Sequence, residues 1–328
     1  VLLNDGTINA ATGITATNTG TSTINVANKG TINSTTAGIT ISSTPEQTVN
    51  VNNTGGTLNA TAGTGVNVLT NALLNLVGGT ITATGTATGL TFADTSNSHV
   101  LTDLILNLNG TGAAFSKATG VNLTLNHVIF NTVTGTALTS LAGLTFANSA
   151  NGNNIINVTG AGTGISSAGG VDLTNAYLNI NVTNSAGIGL QVTDGTANIT
   201  TIGTNGQINA AGATAISFSG TTAKTLNNNG TINGAVTFAG TAANIINNNA
   251  VLNGTLTTGS GDDTLILGST SQSNGAINLG DGNNNVTIQN GAQVSSIATG
   301  AGDDTFTING MTAGSTYLGS LNAGSGTN

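Results

Sequence analysis

Three acidic segments toward the C-terminal end of this 328-residue chain are the first place to look for chemistry. They read Gly261-Asp262-Asp263-Thr264, Gly280-Asp281-Gly282-Asn283-Asn284 and Gly302-Asp303-Asp304-Thr305, and they recur every 20 to 21 residues. Carboxylates beside turn carbonyls are hard oxygen donors of the kind calcium takes. Asp262, Asp263, Asp281, Asp303 and Asp304 are therefore the candidate metal ligands. The competing use is structural, because glycine and Asx residues build tight corners by bonding nearby backbone. Stacked aspartates about 5 Å apart would repel, and the Asn283-Asn284 copy between two Asp-Asp copies relieves that. The residues favour the corner over the ion, and no other cofactor is called for.

A second group is Asp94, His99 and Asp103, in the segment 93–103 (ADTSNSHVLTD). An imidazole with two carboxylates can ligate a metal or exchange protons. Here the two carboxylates are far apart in sequence, and no lysine, arginine or second histidine lies nearby. A solvated polar loop is the simpler reading. His127, in Asn126-His127-Val128-Ile129-Phe130, reads as an outward strand position. Glycan-cleaving enzymes need acids and bases clustered in a groove. This chain has no arginine, and its lysines, at 29, 117 and 224, are widely spread. A serine nucleophile would need a partnered histidine, and neither histidine offers one. No catalytic residue is designated, and the chain does not read as an enzyme.

The elements that position these residues show in three phrases repeated in phase. The first is apolar–Asn–apolar, centred on Asn25, Asn50, Asn75, Asn107, Asn157 and Asn181, with early steps of 25 residues. The second is Gly–apolar–polar, as in Gly13-Ile14-Thr15, Gly38-Ile39-Thr40, Gly65-Val66-Asn67 and Gly89-Leu90-Thr91. The third is Gly-Thr-Ile/Leu, at Gly6, Gly30, Gly56, Gly79 and again at Gly230. A fixed period of this length marks stacked supersecondary units. Three short alternating segments per period, bounded by Gly, Asn and Thr, predict three short strands and turns. The expected fold is all-β: a right-handed parallel β-helix with three strands per rung and roughly 14 rungs. It is read as one solenoid domain over 1–328, with shorter rungs over 258–328.

Alternation sends the Asn column outward, where stacked amides can bond along the column or meet a partner. One rung reads as long: Gly89 to Gly120 is 31 residues and Asn75 to Asn107 is 32. The excess falls in 93–103, the expected projecting loop. A smaller loop is expected around Pro45-Glu46.

Composition narrows the setting. Charged residues are 4% of the chain and the formal net charge is −8, so a basic nucleic-acid surface is excluded. An acidic surface is also a poor match for anionic membranes, and no apolar run is long enough for a spanning helix. With no cysteine there are no disulfides and no thiol chemistry. The chain opens mid-pattern, without a leader, and reads as a mature or excised segment of something longer.

The Asn/Thr/Gly-rich rungs resemble the passenger region of a Gram-negative type V autotransporter, nearest the AIDA-type self-associating adhesins. The residues that carry this are Asn228-Asn229-Gly230-Thr231-Ile232-Asn233-Gly234-Ala235-Val236 and Gly300-Ala301-Gly302-Asp303-Asp304-Thr305-Phe306. The resemblance implies a β-helix on the outside of a bacterial cell, anchored in the outer membrane through a part not in this chain, or released. The acidic turns also resemble the calcium-binding Gly-Gly-x-Gly-x-Asp-x-apolar repeat. They depart from it at Thr258, Leu279 and Thr299, in their spacing, and at Asn283 and Asn284.

The function expected is therefore adhesion: self-association between neighbouring cells through polar Asn/Thr faces, giving aggregation and biofilm. The alternative is an adhesin for host glycans or matrix proteins, binding along a rod face or through the 93–103 loop. A passive spacer is a third reading.

Overall fold

The computed structural model describes residues 1–93, 98–195, 198–310 and 317–328. These are all-β, with no helix, and their parallel strands stack as a β-solenoid of about 13 turns. The chain forms two compact units, Val1–Gly164 and Ile165–Asn328.

In the first unit, one sheet runs through Leu2–Asn4, Ile24–Asn28, Gln47–Asn52, Ala72–Val77, Ser98–Thr102, Asn122–Asn126 and Leu144–Ala147, each parallel to the next. The rest of each turn supplies two further segments. The long strand Thr31–Ser43 rounds a corner and pairs with two shorter strands of the next turn, Thr57–Ala60 and Thr64–Val68. Three strand segments per turn is what the three phrases predict.

Local sequence explains the pleat. Ala72, Leu74 and Leu76 are buried, while Leu73, Asn75 and Val77 between them are half-exposed. In-register pairing turns alternation into columns. Val26, Val51, Leu76, Leu101 and Leu125 stack in one. Ile32, Leu58, Ile81, Leu106, Phe130 and Ile156 stack in another. Each fully buried aliphatic side chain contributes about 1.5–3 kcal/mol, so the columns are the main cohesive force.

The Gly–apolar–polar phrase has a steric cause. A Cβ on Gly38 would lie 2.5 Å from the carbonyl oxygen of Gly65, and one on Gly65 would lie 2.7 Å from that of Gly89. The turns stack too closely there for any side chain.

The second unit is built alike, with a sheet of Asp172–Leu173, Ile199–Ile202, Thr225–Asn228, Ile245–Asn248, Thr264–Leu267, Asn285–Ile288 and Thr305–Ile308. Its later turns are shorter, as expected: Asn247 bonds Asn227 across 20 residues. Phe218 and Phe238 stack in consecutive turns with ring centroids 4.3 Å apart.

The expected 93–103 loop is corrected for its described part. Ser98–Thr102 is a strand paired on both edges, with Val100 on Asn75 and His99 on Leu123. Asp94 lies outside the described residues. The spacing misled because it compared different faces. Asn75 is level with Val100 rather than Asn107, and Leu90 is level with Phe115, which places Gly89 beside Ala114 rather than Gly120. His99 is a core residue, 0% exposed, with its ring 4.6 Å from that of Phe92. Its Nδ1 accepts the Leu74 backbone N–H at 3.0 Å. His127, expected at an outward strand position, is not in a strand. It sits at a corner with φ 55°.

His99→Leu suits the aliphatic column but leaves the Leu74 N–H without its acceptor. A loss of about 1–3 kcal/mol is expected in denaturant unfolding. A stability equal to the parent's would show that this hydrogen bond holds nothing.

Candidate functional site

The six asparagines of the repeated phrase all face outward, but they do not form one column. Asn25, Asn50 and Asn75 lie on the first sheet, where Asn50 Nδ2 donates to Asn25 Oδ1 at 3.0 Å and Asn75 Nδ2 to Asn50 Oδ1 at 3.2 Å. Asn107 and Asn157 belong to a different face. They bracket Asn131 with Nδ2-to-Oδ1 bonds of 2.8 Å each. Earlier turns of that face carry Asn9, Asn33 and Asn59, bonded at 2.7 and 2.8 Å, and then Thr82. In the second unit a ladder runs through Asn181, Asn209, Asn233, Asn253 and Asn274. The phrase occurs on more than one strand of each turn, so spacing alone spliced two ladders together. Asn9, Asn33, Asn59, Asn131, Asn209, Asn233, Asn253 and Asn274 were missed, although the third phrase, Gly-Thr-Ile/Leu-Asn, contains several of them.

A ladder uses one N–H and one carbonyl lone pair of each mid-ladder amide, such as Asn50 or Asn233. An amide carries two of each. The faces are therefore self-bonded yet keep hydrogen-bonding capacity. Inside the corners a second kind of ladder is buried: Asn4 Nδ2 donates to Asn28 Oδ1 and Asn28 Nδ2 to Asn53 Oδ1, both at 2.7 Å. Nothing in the apolar–Asn–apolar phrase points to it.

The acidic turns form two parallel Asx columns. The buried one is Asn244, Asp263, Asn284 and Asp304, continued by the exposed Asn328, whose Oδ1 accepts the Asp304 N–H. Asp263 Oδ1 accepts the Asn244 backbone N–H at 2.7 Å, Asn284 Oδ1 accepts that of Asp263 at 3.1 Å, and Asp304 Oδ1 accepts that of Asn284 at 2.9 Å. The outer column is Asp262, Asn283 and Asp303. Here Asp262 Oδ1 accepts the Asn283 N–H at 2.7 Å and Asn283 Oδ1 accepts the Asp303 N–H at 2.8 Å. Asp281 Oδ1 takes the Ala301 N–H at 2.8 Å. Each carboxylate ties one turn to the next through a backbone donor, and Asn alternates with Asp in both columns. Among the described residues, no group of three or more His, Asp or Glu is placed to hold a metal ion. The donor set fits the corner reading rather than a calcium cage.

Within the buried column the Asn and Asp positions differ. Asn244 Nδ2 donates to the Ala242 carbonyl at 2.8 Å, and Asn284 Nδ2 to the Gly282 carbonyl at 3.0 Å. A carboxylate oxygen in that place has no proton to give, and Oδ2 of Asp263 and of Asp304 find no partner. Burial raises the Asp263 carboxyl above its ordinary value, against the opposing pull of Thr258 and Asn244.

Two charged clusters join turns distant in sequence. Asp103 Oδ1 lies 2.9 Å from His127 Nδ1, and Asn151 Nδ2 donates to both Asp103 oxygens at 2.8 Å. The bonds from Asn151 and His127 hold the Asp103 carboxyl below its usual value. The candidate grouping of Asp103 with His99 is not what the fold builds: His99 is buried within the strand Ser98–Thr102, whereas Asp103 sits half-exposed at the corner after it and is engaged by His127 and Asn151. In the second unit the nearly buried Lys224 donates to Asp194 at 2.6 Å, and the Thr221 and Thr222 N–H groups donate to the same carboxylate at 2.7 and 3.1 Å. Lys224, with these threonine donors, holds the Asp194 carboxyl far below its usual range. The 30-residue separation hid this pair.

Comparison with protein-family models, with curated proteins and with solved structures finds no match.

Asp263→Asn should restore the missing donor at the corner. The folded-state pKa of Asp263 is raised, so its native form loses stability as pH climbs through the window above the unfolded value of about 3.9. The substitution should therefore stabilise by about 1–3 kcal/mol at pH 7. The gain should vanish below pH ~4, where the acid is neutral in both states. Melting curves at the two pH values check this, and an equal effect at both would refute the assignment.

Proposed function

We propose that this chain is the β-solenoid part of a bacterial cell-surface adhesin, acting by binding and not by catalysis. It is displayed outside the cell, anchored in the outer membrane through a part outside this chain or released. Its partner is an identical chain on a neighbouring cell, which leads to aggregation and biofilm. The observation that carries this reading is the set of outward amide ladders on flat faces of both units. Amides spaced by the turn-to-turn repeat present donors and acceptors at intervals that a second copy of the same ladder matches. Each new bond is weak, about 0.5–1.5 kcal/mol net, but a register of many acts as one multivalent contact. Sparse charge on the chain keeps like-charge repulsion between copies small.

A second reading, binding of host glycans or matrix polymers, is favoured by one feature. A groove of about 720 Å³ in the second unit is lined by Asn209, Asn233 and Asn253 over a floor of glycine and alanine. Neutral polar rims of this kind suit neutral sugars. The 93–103 route has less behind it, since Ser98–Thr102 is a paired strand and Asp103 is held by His127 and Asn151.

Sedimentation velocity across a wide concentration range tests the leading reading. The parent chain should form concentration-dependent dimers or longer assemblies. The triple variant Asn50→Lys, Asn131→Lys, Asn233→Lys should stay monomeric while melting cooperatively. A parent that is monomeric throughout would overturn self-association and direct the search to glycans.

A further inference from the structure

One inward column in the first unit ends in a charge. Ala16, Ile41, Val68 and Phe92 stack in register in consecutive turns, all essentially buried. The next member of the column is Lys117, level with Phe92. The adjacent column, Ile39, Val66 and Leu90, runs into Phe115, which is half-exposed. The core wall opens at this point. The ladder that joins Thr88–Phe92 to Phe115–Lys117 does not run on to the strand Thr136–Leu138 among the described residues. A cleft of about 470 Å³ lies between these two strands. That is within the ~300–1,000 Å³ range of small-ligand sites.

The cleft has a charge without a counter-charge. Lys117 Nζ donates to the Val121 carbonyl at 3.0 Å, and its other ammonium protons have no carboxylate within ion-pair distance among the described residues. Burial lowers the Lys117 pKa, and no acid opposes it. Lys224 shows the contrast, since its ammonium rests on Asp194. A partly desolvated cation without an anion destabilises the site until one is supplied. Around it, the half-exposed Phe115 and Leu144, backed by the buried Val121 and Leu138, form an apolar floor, and Asn122, Thr139 and Ser140 form an exposed polar rim.

We propose that this cleft binds a carboxylated sugar, with the carboxylate on Lys117 Nζ, the ring's C–H face on Phe115 and Leu144, and its hydroxyls on Thr139, Ser140 and Asn122. A lone ammonium is a compact point charge suited to one carboxylate. Phosphate and sulfate sites recruit arginine forks or several cations, and the chain has no arginine. A pyranose carries an apolar face and a hydroxyl edge, which match the floor and the rim. The site stands whether or not the amide ladders associate.

The test is titration calorimetry with saturation-transfer NMR on the full chain, using glucuronate, glucose, acetate and inorganic phosphate as probes. Glucuronate should bind at least about tenfold more tightly than each of the other three. Lys117→Met keeps the apolar stem, removes the charge and should weaken glucuronate binding at least about tenfold. Ser140→Trp, at an exposed rim position, should block the cleft without touching the lysine. It decides the matter if Lys117→Met does not fold. Glucose binding as tightly as glucuronate would overturn the role of Lys117. Acetate or phosphate binding as tightly would show an anion site with no sugar recognition, and no binding of glucuronate would overturn the proposal outright.

Discussion

Everything in this molecule depends on in-register parallel pairing between consecutive turns. In a parallel ladder each residue meets the residue one turn away at about 4.8 Å, on the same face and pointing the same way. Like therefore meets like, and a side chain is acceptable only if it can sit against its own kind. Aliphatic residues do so by packing, as in the column from Val26 to Leu125. Asparagine does so because its amide is both donor and acceptor. Aspartate cannot, since two stacked carboxylates repel and neither donates. The chain's composition, rich in Val, Ile, Asn, Thr and Gly and nearly free of charge, follows from this one constraint.

The corners show the constraint at its strictest. Backbone N–H groups there leave the strand ladders and need another acceptor. The Asx columns supply it, each side-chain oxygen reaching the backbone of a neighbouring turn. Asp serves as acceptor as well as Asn does, but only with an Asn on either side, which is the pattern of Asp263, Asn284 and Asp304. The unpartnered Oδ2 atoms measure what the carboxylate lacks compared with the amide. A stretch that looks in sequence like a chain of metal ligands is, in the fold, a chain of hydrogen-bond acceptors for backbone.

The period, the strand count per turn and the outward sense of the asparagines were legible in the sequence because they are consequences of alternation and repeat. Phase was not. Asn75 and Asn107 carry the same local phrase, yet the first stacks on Val100 and the second on Thr82. A repeat whose faces share one vocabulary cannot be assigned to faces by local words alone, and the expectation of a loop where 98–102 forms a paired strand came from that ambiguity. The clusters Asp103–His127–Asn151 and Asp194–Lys224 were invisible for a related reason. Their members are neighbours only through the stacking of corners, at separations of 24 to 48 residues. Side-chain ladders, in contrast, could have been anticipated once any one register was known.

In such a chain the informative residues are the ones that break their column. His99 interrupts an aliphatic stack and is compensated from within, its ring against Phe92 and its Nδ1 accepting the Leu74 N–H. Lys224 is buried and is compensated by Asp194. These breaks are closed by the protein itself and need nothing from outside. Lys117 also breaks its column, but its ammonium meets a carbonyl and, among the described residues, no acid, at the place where the sheet parts. A repeat array can discard an uncompensated break by a single change to Val or Ile, in keeping with the four residues before it in the column. A lysine there, beside a cleft with an apolar floor and a hydroxyl rim, is the kind of local conflict between sequence and fold on which the proposed binding site rests.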